Sequence, residues 1–309
     1  MNVEQKPNLL SLIKYRFSLL NDERWFRWVA RKGTTQATKD FFDDFPRFLD
    51  TSDTAANLYR LNLRHQAMIQ SNGEFIRGKR ILDIASHDGR WSFAAYKAGA
   101  EYVLGIEARS HLMDLAYQNM QHYGVPRTRV EFAQGDALKE LDRLESSRFD
   151  TVFCFGFLYH TADHMLLMRK IARLQPSSLI IDTAVSTHPG SIVEIHDEAI
   201  AHESAAAVGD PGDPERTVVG IPSKPALELM LTAAGFAVGQ YYDWQHADIS
   251  WVRPKRLLPR DAYYPNRYRS RWKDRATTAS RKNYRLNVIF VGASASEGSA
   301  TLYELGSPG

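Results

Sequence analysis

Three acids and one histidine in this chain stand directly after short apolar runs, where a side chain is held at the end of an element and faces outward. Asp83 opens the run Asp83-Ile84-Ala85-Ser86-His87-Asp88-Gly89-Arg90-Trp91, and Glu107 stands twenty-four residues further on. Asp136 lies within Gly135-Asp136-Ala137, and His160 within Phe155-Gly156-Phe157-Leu158-Tyr159-His160-Thr161. The first run consists mostly of small residues, which let a backbone approach a ligand, and a helix opening there would offer free N–H groups to a carboxylate. Glu107 is suited to accept hydrogen bonds from both hydroxyls of a ribose, as acids at the end of a second strand do in dinucleotide folds. Asp136 can accept from an exocyclic adenine amino group while the N–H of Ala137 meets a ring nitrogen. Together the three acids fit one adenosine. The imidazole of His160 is of the chemical type that removes a proton from a hydroxyl.

Positioning these groups requires a particular alternation of elements. From Lys79 onward, short apolar runs predict strands at Arg80–Ile84, Tyr102–Ile106, Val130–Ala133, Thr151–Phe155 and Ser178–Asp182. The intervals Trp91–Ala98, His111–Tyr123, Ala137–Leu144 and His164–Leu174 are each long enough for a crossover helix. Such alternation gives parallel pairing and helices on both sheet faces: a doubly wound α/β sheet, mostly parallel. A helix over Pro225–Ala234 and strands at Phe236–Tyr242 and Leu286–Val291 bring the sheet to seven strands. In open sheets of this kind ligands bind beyond the carboxyl ends of the strands, where the acids above are expected.

The rest of the chain is read as additions. Residues 1–75 form a helical extension, with Trp25, Phe26, Trp28 and Val29, then Phe41, Phe42, Phe45 and Phe48, at helical spacings, and a last helix capped by Ser52-Asp53 that carries Tyr59, Arg64 and His65. Residues 76–292 form the main domain, interrupted by insertions at 187–222 and 244–284, and 293–309 form a mobile tail. The first insertion brings His188, Glu194, His196, Asp197, Glu198, His202 and Glu203. Its histidines do not have zinc spacing, and no metal site is predicted. Asp182 with one of these carboxylates has the oxygen chemistry to hold Mg²⁺ against a vicinal diol; a solvated lid is the plainer reading.

The ordered set Asp83, Gly89, Glu107, Asp136 and Leu158-Tyr159-His160 resembles the class I S-adenosylmethionine-dependent methyltransferases, closely over residues 77–186 and more loosely to Val291. The resemblance implies S-adenosylmethionine as cofactor, held by Asp83, Ala85, Ser86, His87, Gly89, Glu107, Ala108, Asp136, Ala137 and Phe155. It places the segment after strand four beside the transferable methyl group, with His160 as base and Tyr159 and Asp182 as further catalytic candidates. Ala85 and His87 stand where the family's Asp-x-Gly-x-Gly-x-Gly turn has its first two glycines, so the turn by itself is a weak motif. His87 also crowds the place where a nicotinamide dinucleotide's pyrophosphate needs glycine, which argues against a dehydrogenase.

The expected activity is O-methylation of a hydroxylated small molecule such as a saccharide or secondary metabolite, an acceptor whose charge can be anionic. The alternative is a tRNA wobble-uridine enzyme using S-adenosylmethionine or a carboxylated derivative, a group that also shows Leu-Tyr-His after strand four. A noncatalytic cofactor-binding protein is the third reading, with the degenerate turn in its favour. Charge bears on the choice without settling it. Between Arg253 and Arg285 lie twelve Lys/Arg against Asp261 and Asp274, a local +10 within a chain of net +3, so the remainder carries about −7. Tyr263, Tyr264, Tyr268 and Trp272 are interleaved with those arginines, a composition suited to phosphate contact and base stacking, to an anionic acceptor, or to pairing with the acidic remainder. Cys154 is the only cysteine, which excludes an intramolecular disulfide and a cysteine-based zinc site. The apolar stretch Leu9–Ile13 is too short for a signal core or a membrane span, so a cytoplasmic location without membrane attachment is expected.

Overall fold

The computed structural model of the chain describes residues 40–51, 58–186, 188–202, 205–241 and 284–292. Nine strands are described: β1 (Arg80–Ile84), β2 (Tyr102–Glu107), β3 (Val130–Gln134), β4 (Thr151–Phe155), β5 (Ser178–Val185), β6 (Val193–Ala199), β7 (Arg216–Pro222), β8 (Phe236–Tyr241) and β9 (Tyr284–Gly292). Seven of them form one sheet in the order β3-β2-β1-β4-β5-β9-β8, with β9 antiparallel to both neighbours and the other pairings parallel. The order reverses between β1 and β4, which start adjacent crossovers in opposite directions and leave a crevice at their carboxyl ends.

Among the described residues the α-helices are α1 (Phe41–Asp44), α2 (Leu58–Met68), α3 (Arg90–Lys97), α4 (Ser110–His122), α5 (Ala137–Arg143), α6 (His164–Arg173) and α7 (Lys224–Ala233). Successive strand residues point to opposite faces, so the central strands feed two separate cores. Ile81, Val103, Phe153 and Ile180 join Phe93, Met120 and the N-terminal aromatics on one side. Leu82, Leu104, Val152, Cys154, Leu179 and Ile181 join Leu167, Ile171 and Leu231 on the other. Burial on both faces is why these strands read as continuous apolar runs, and why the sequence identifies them so readily. Cys154 is fully buried within β4, and burial pushes its thiol up to about 12.

Two expectations are revised. The helix expected through Phe41–Phe48 is split, because Pro46 has no N–H to donate: α1 ends at Asp44 and a 3-10 turn runs from Pro46 to Leu49. The aromatic spacing still serves packing, with Phe41 and Phe45 against Phe93 and Phe42 edge-on to Trp91. The first insertion, expected as a lid, contains an antiparallel hairpin in which β6 and β7 pair from Val193↔Pro222 to Ala199↔Arg216. Trp25, Phe26, Trp28, Val29, the Ser52-Asp53 cap, Glu203, the basic run 253–283 and the tail 293–309 lie outside the described residues. Among the described residues, no helix is long and apolar enough to cross a membrane.

Candidate active site

A cleft of about 680 Å³ opens at the carboxyl ends of β1 to β4. Its floor is the turn after β1, where Ala85, His87 and Gly89 all adopt the left-handed conformation, at φ 55°, 56° and 77°. The backbone path of a glycine-rich turn is thus kept with glycine at only one of the three positions. Ser86 fastens the turn to β2 by donating its N–H to the Ile106 carbonyl at 2.9 Å, and the Gly89 N–H donates to the Ser86 carbonyl at 3.0 Å. Gly89 is required on a second count: a Cβ there would lie 2.8 Å from the Phe132 ring and 3.0 Å from Ala116.

Glu107, at the end of β2, is 4% exposed and fixed at both oxygens, accepting the His87 N–H at 2.8 Å and the Arg109 N–H at 2.9 Å. Each oxygen retains a further lone pair for a ligand hydroxyl. Asp136 caps α5 by accepting the Lys139 N–H at 3.0 Å, and its carboxylate lies on the cleft. Across the cleft, Gly156 turns the chain at φ 74°, and a 3-10 turn carries Leu158, Tyr159 and His160. The hairpin docks on this turn. Gly220 of β7 donates its N–H to the Thr161 carbonyl at 3.1 Å, and buried His164 bridges the carbonyls of Leu158 and Gly220 at 3.0 and 3.1 Å.

That docking brings Glu198 of β6 to His160, with Nδ1 2.8 Å from Glu198 Oε2. Burial alone would raise the Glu198 pKa. The His160 hydrogen bond and charge, the Ala206 N–H at 2.8 Å and Arg109 outweigh it and hold the carboxyl below its ordinary value. Beyond β6 the chain returns over the cleft as a strap, residues 205–211. Arg109 fastens it, donating to the carbonyls of His202 at 2.9 Å and Ala206 at 2.8 Å, and to those of Ile200 and Ala205. Asp210 fastens the far end by accepting from the Thr217 hydroxyl and the Val218 N–H.

Of the residues singled out in the sequence, Ala85, His87, Glu107, Ala108, Asp136, Ala137, Phe155, Tyr159 and His160 line the cleft together. Asp83, Ser86, Gly89 and Asp182 do not. Asp83 lies behind the turn, 1% exposed, where it accepts the Ser92 hydroxyl of α3 at 2.6 Å; burial raises its pKa to about 7 against the pull of that bond. Ser86 and Gly89 shape the backbone from beneath. Asp182 is fully buried and engaged by Arg64, whose Nε and Nη2 donate at 3.1 and 2.5 Å. Its carboxylate is therefore neither a base for an acceptor nor an open cation ligand. Arg64 itself, stacked over Trp91 at 4.9 Å, reaches the cleft from α2. His65 does not: it stacks on Phe41 at 4.1 Å, and burial lowers its pKa to about 4. The side chain of Tyr59 lies outside the described residues.

Two residues of the site have no role in the sequence reading above: Arg109, which fastens the strap, and Glu198 as partner to His160. The signal for Glu198 was the alternation Glu194, His196, Glu198, which at strand period puts all three on one face. Read as a lid, the segment gave no reason to look for that period. Among the described residues, no group of three or more His, Cys, Asp or Glu is placed to hold a metal ion.

Residues 81–176 match the family model described as a methyltransferase domain. The tRNA U34 carboxymethyltransferase of Pseudomonas savastanoi pv. phaseolicola is 31% identical over 183 residues, covering 58% of this chain and 51% of that protein. The protein of the same name from Azotobacter vinelandii is 30% identical over 166 residues, 52% of this chain and 46% of its own length. The chain spans about half the length of these relatives. Among solved structures, the N-terminal domain of EvdMO1 with SAH bound is 19% identical at TM-score 0.47, covering 72% of this chain and 78% of that one. Magnesium protoporphyrin IX methyltransferase (ChlM) from Synechocystis is 15% identical at TM-score 0.47, covering 89% and 97%. The doubly wound sheet and the cleft at its strand ends lie on this matched core, so the chain carries a methyltransferase domain.

Proposed function

We propose that this chain transfers a carbon group from the sulfonium of S-adenosylmethionine, or of a carboxylated derivative, to an oxygen acceptor on the wobble uridine of tRNA. The observation that carries the cofactor half is Glu107, anchored at both oxygens on a cleft that also presents Asp136 and His160. In this reading Glu107 holds the ribose hydroxyls, Asp136 and the Ala137 N–H read adenine, and Ala85, His87, Ala108 and Phe155 complete the cradle. Asp83, Ser86 and Gly89 hold the turn from behind. Support for the acceptor half comes from the relatives' names and from the arginine-rich, aromatic run at 253–285, which suits a polyanion.

The cofactor supplies a sulfonium carbon already activated for displacement, so the chain's contribution is alignment at roughly 3 to 3.5 Å and removal of a proton. The acceptor oxygen bonds to that carbon as the carbon–sulfur bond breaks, sulfur keeping the bonding pair, and His160 takes the acceptor's proton. Tyr159 packs beside His160, ring centroids 4.2 Å apart, and limits its rotation.

The test is a calorimetric titration with S-adenosylhomocysteine, followed by incubation of each donor with bulk tRNA, both unmodified and bearing a hydroxyl on the wobble uracil, and mass analysis of the nucleosides. The expected result is binding that Glu107→Ala weakens by at least about tenfold, and a methyl or carboxymethyl gain on uridine. His160→Ala should lower that turnover by roughly 10²- to 10⁴-fold with product affinity unchanged. No affinity for S-adenosylhomocysteine overturns the whole reading; binding without gain on any tRNA nucleoside overturns the acceptor. A second reading, O-methylation of a hydroxylated small molecule such as a saccharide, is favoured by the strap, since residues 205–211 roof the cleft and suit a small acceptor. An acceptor screen with the same protein decides between them.

A further inference from the structure

We propose that Glu198 is the positioning residue for His160, and that it makes the geometry of the base depend on the seating of the strap over the cleft. This rests on the transfer reading above for its purpose, though not for its geometry.

Three observations converge on Glu198. Its Oε2 lies 2.8 Å from His160 Nδ1 and accepts the Ala206 N–H, also at 2.8 Å, so one carboxylate oxygen joins the turn after β4 to the strap. The carboxyl is held below its ordinary pKa despite burial, and an ionised carboxylate only accepts hydrogen bonds. Nδ1 is therefore the protonated ring nitrogen, and in the neutral imidazole the lone pair sits on Nε2. A carboxylate orienting a histidine through Nδ1–H while Nε2 acts as base is the logic of hydrolase triads, reached here on an unrelated fold.

The third observation is how firmly the pair is framed. β6 is held in register with β7 over seven positions, β7 is tied to the base's own turn through Gly220 and His164, and the strap is stapled by Arg109 and Asp210. A Cβ at Gly220 would fall 2.7 Å from the His164 ring, so the hairpin approaches the turn as closely as a side-chain-free backbone allows. With the strap seated, Ala206 fixes one direction of approach to Oε2 and His160 takes the other. With the strap lifted, Glu198 loses the amide that fixes its rotamer, and His160 loses the fixed acceptor that selects its tautomer. Acceptor enclosure and base orientation are thus one event.

The experiment uses the full chain labelled with ¹⁵N-histidine, with the His160 signals assigned by their absence in His160→Gln. In the unaltered protein the multiple-bond ¹H–¹⁵N spectrum should show the Nδ1–H tautomer for His160. Glu198→Ala should convert it to the Nε2–H form that free imidazole prefers, and should accelerate exchange of the Ala206 amide by about tenfold or more. Glu198→Gln keeps a carbonyl oxygen at the same place and should retain the Nδ1–H form, which guards against a variant that merely folds poorly. In His160→Gln the Ala206 amide should keep its protection. Titration with S-adenosylhomocysteine runs in parallel. If the Nδ1–H tautomer survives in Glu198→Ala, or Ala206 protection does not change there, the positioning role is overturned while cofactor binding stands. If cofactor binding fails but the tautomer switches, the proposed function falls and the geometric role survives.

Discussion

Asp83 pairs a carboxyl with almost complete burial, and that combination has a measurable signature. Burial raises its pKa from 3.8 to about 7, with Ser92 pulling the other way and Glu107 adding repulsion. A carboxyl whose pKa is higher folded than unfolded contributes stability that is whole below about pH 3.8 and is lost as pH rises through about 7. Asp83→Asn, which keeps an acceptor for the Ser92 hydroxyl, should therefore raise the melting temperature relative to the unaltered protein more at pH 8.5 than at pH 5. The gain has a ceiling of roughly 4 kcal/mol. Equal shifts at both pH values would show that Asp83 is ionised throughout. Asp88 is the contrast within one turn. It is also fully buried, yet its pKa is lowered, because the Arg90 guanidinium 2.6 Å away and His87 outweigh the desolvation that would raise it. Two aspartates five residues apart thus titrate in opposite directions according to whether a cation came with them.

At the scale of elements, the turn after β1 supplies paired predictions of opposite sign. A left-handed non-glycine residue costs roughly 1 to 2 kcal/mol, and the added freedom of glycine in the unfolded chain returns part of that. Ala85→Gly should therefore be neutral or stabilising by up to about 1 kcal/mol in urea melts. Gly89→Ala, where strain adds to the approach of Phe132 and Ala116, should destabilise by about 2 kcal/mol or more. A loss of similar size in Ala85→Gly would mean the turn draws on contacts of the Ala85 methyl group that outweigh its strain. This turn also shows where sequence reasoning worked. The strands β1 to β5 and their crossover helices were legible to within one to three residues because each is apolar on both faces or amphipathic at helical period, and Thr151–Phe155 was bounded correctly at both ends. The hairpin β6–β7 was not legible. Its strands carry Glu194, His196 and Glu198 on one face, and exposed Ile195 and Val218 alternate with charged Asp197 and Arg216 on the other, so neither face announces a core. The residues that reach the cleft from it were consequently assigned to solvent. Asp83 and Asp182 were misplaced for a related reason: position after a strand identifies a residue near the crevice, but the direction of a side chain depends on which cation or hydroxyl lies behind it.

For the whole molecule, the uneven charge makes a prediction about the acceptor. If the acceptor is tRNA, binding should weaken steeply with salt, and charge reversal at Arg267, Arg269, Arg271, Lys273 and Arg275 should flatten the dependence. Removing about five phosphate contacts lowers the log–log slope by roughly 4. Binding with the same slope in both proteins would remove the 253–285 run from any role in holding RNA. These residues lie outside the described ones, and their charge alone motivates the measurement.

The chain's lone thiol has a practical corollary. Sunk inside β4 and raised to about 12, Cys154 offers maleimides neither access nor a thiolate at neutral pH, and the sequence contains no other cysteine. An unmodified protein is therefore already a silent background for labelling chemistry. One cysteine introduced at Ala207 would be the sole reactive handle, and a fluorophore or spin label there would report the opening and closing of the roof in real time, without prior removal of native sulfur.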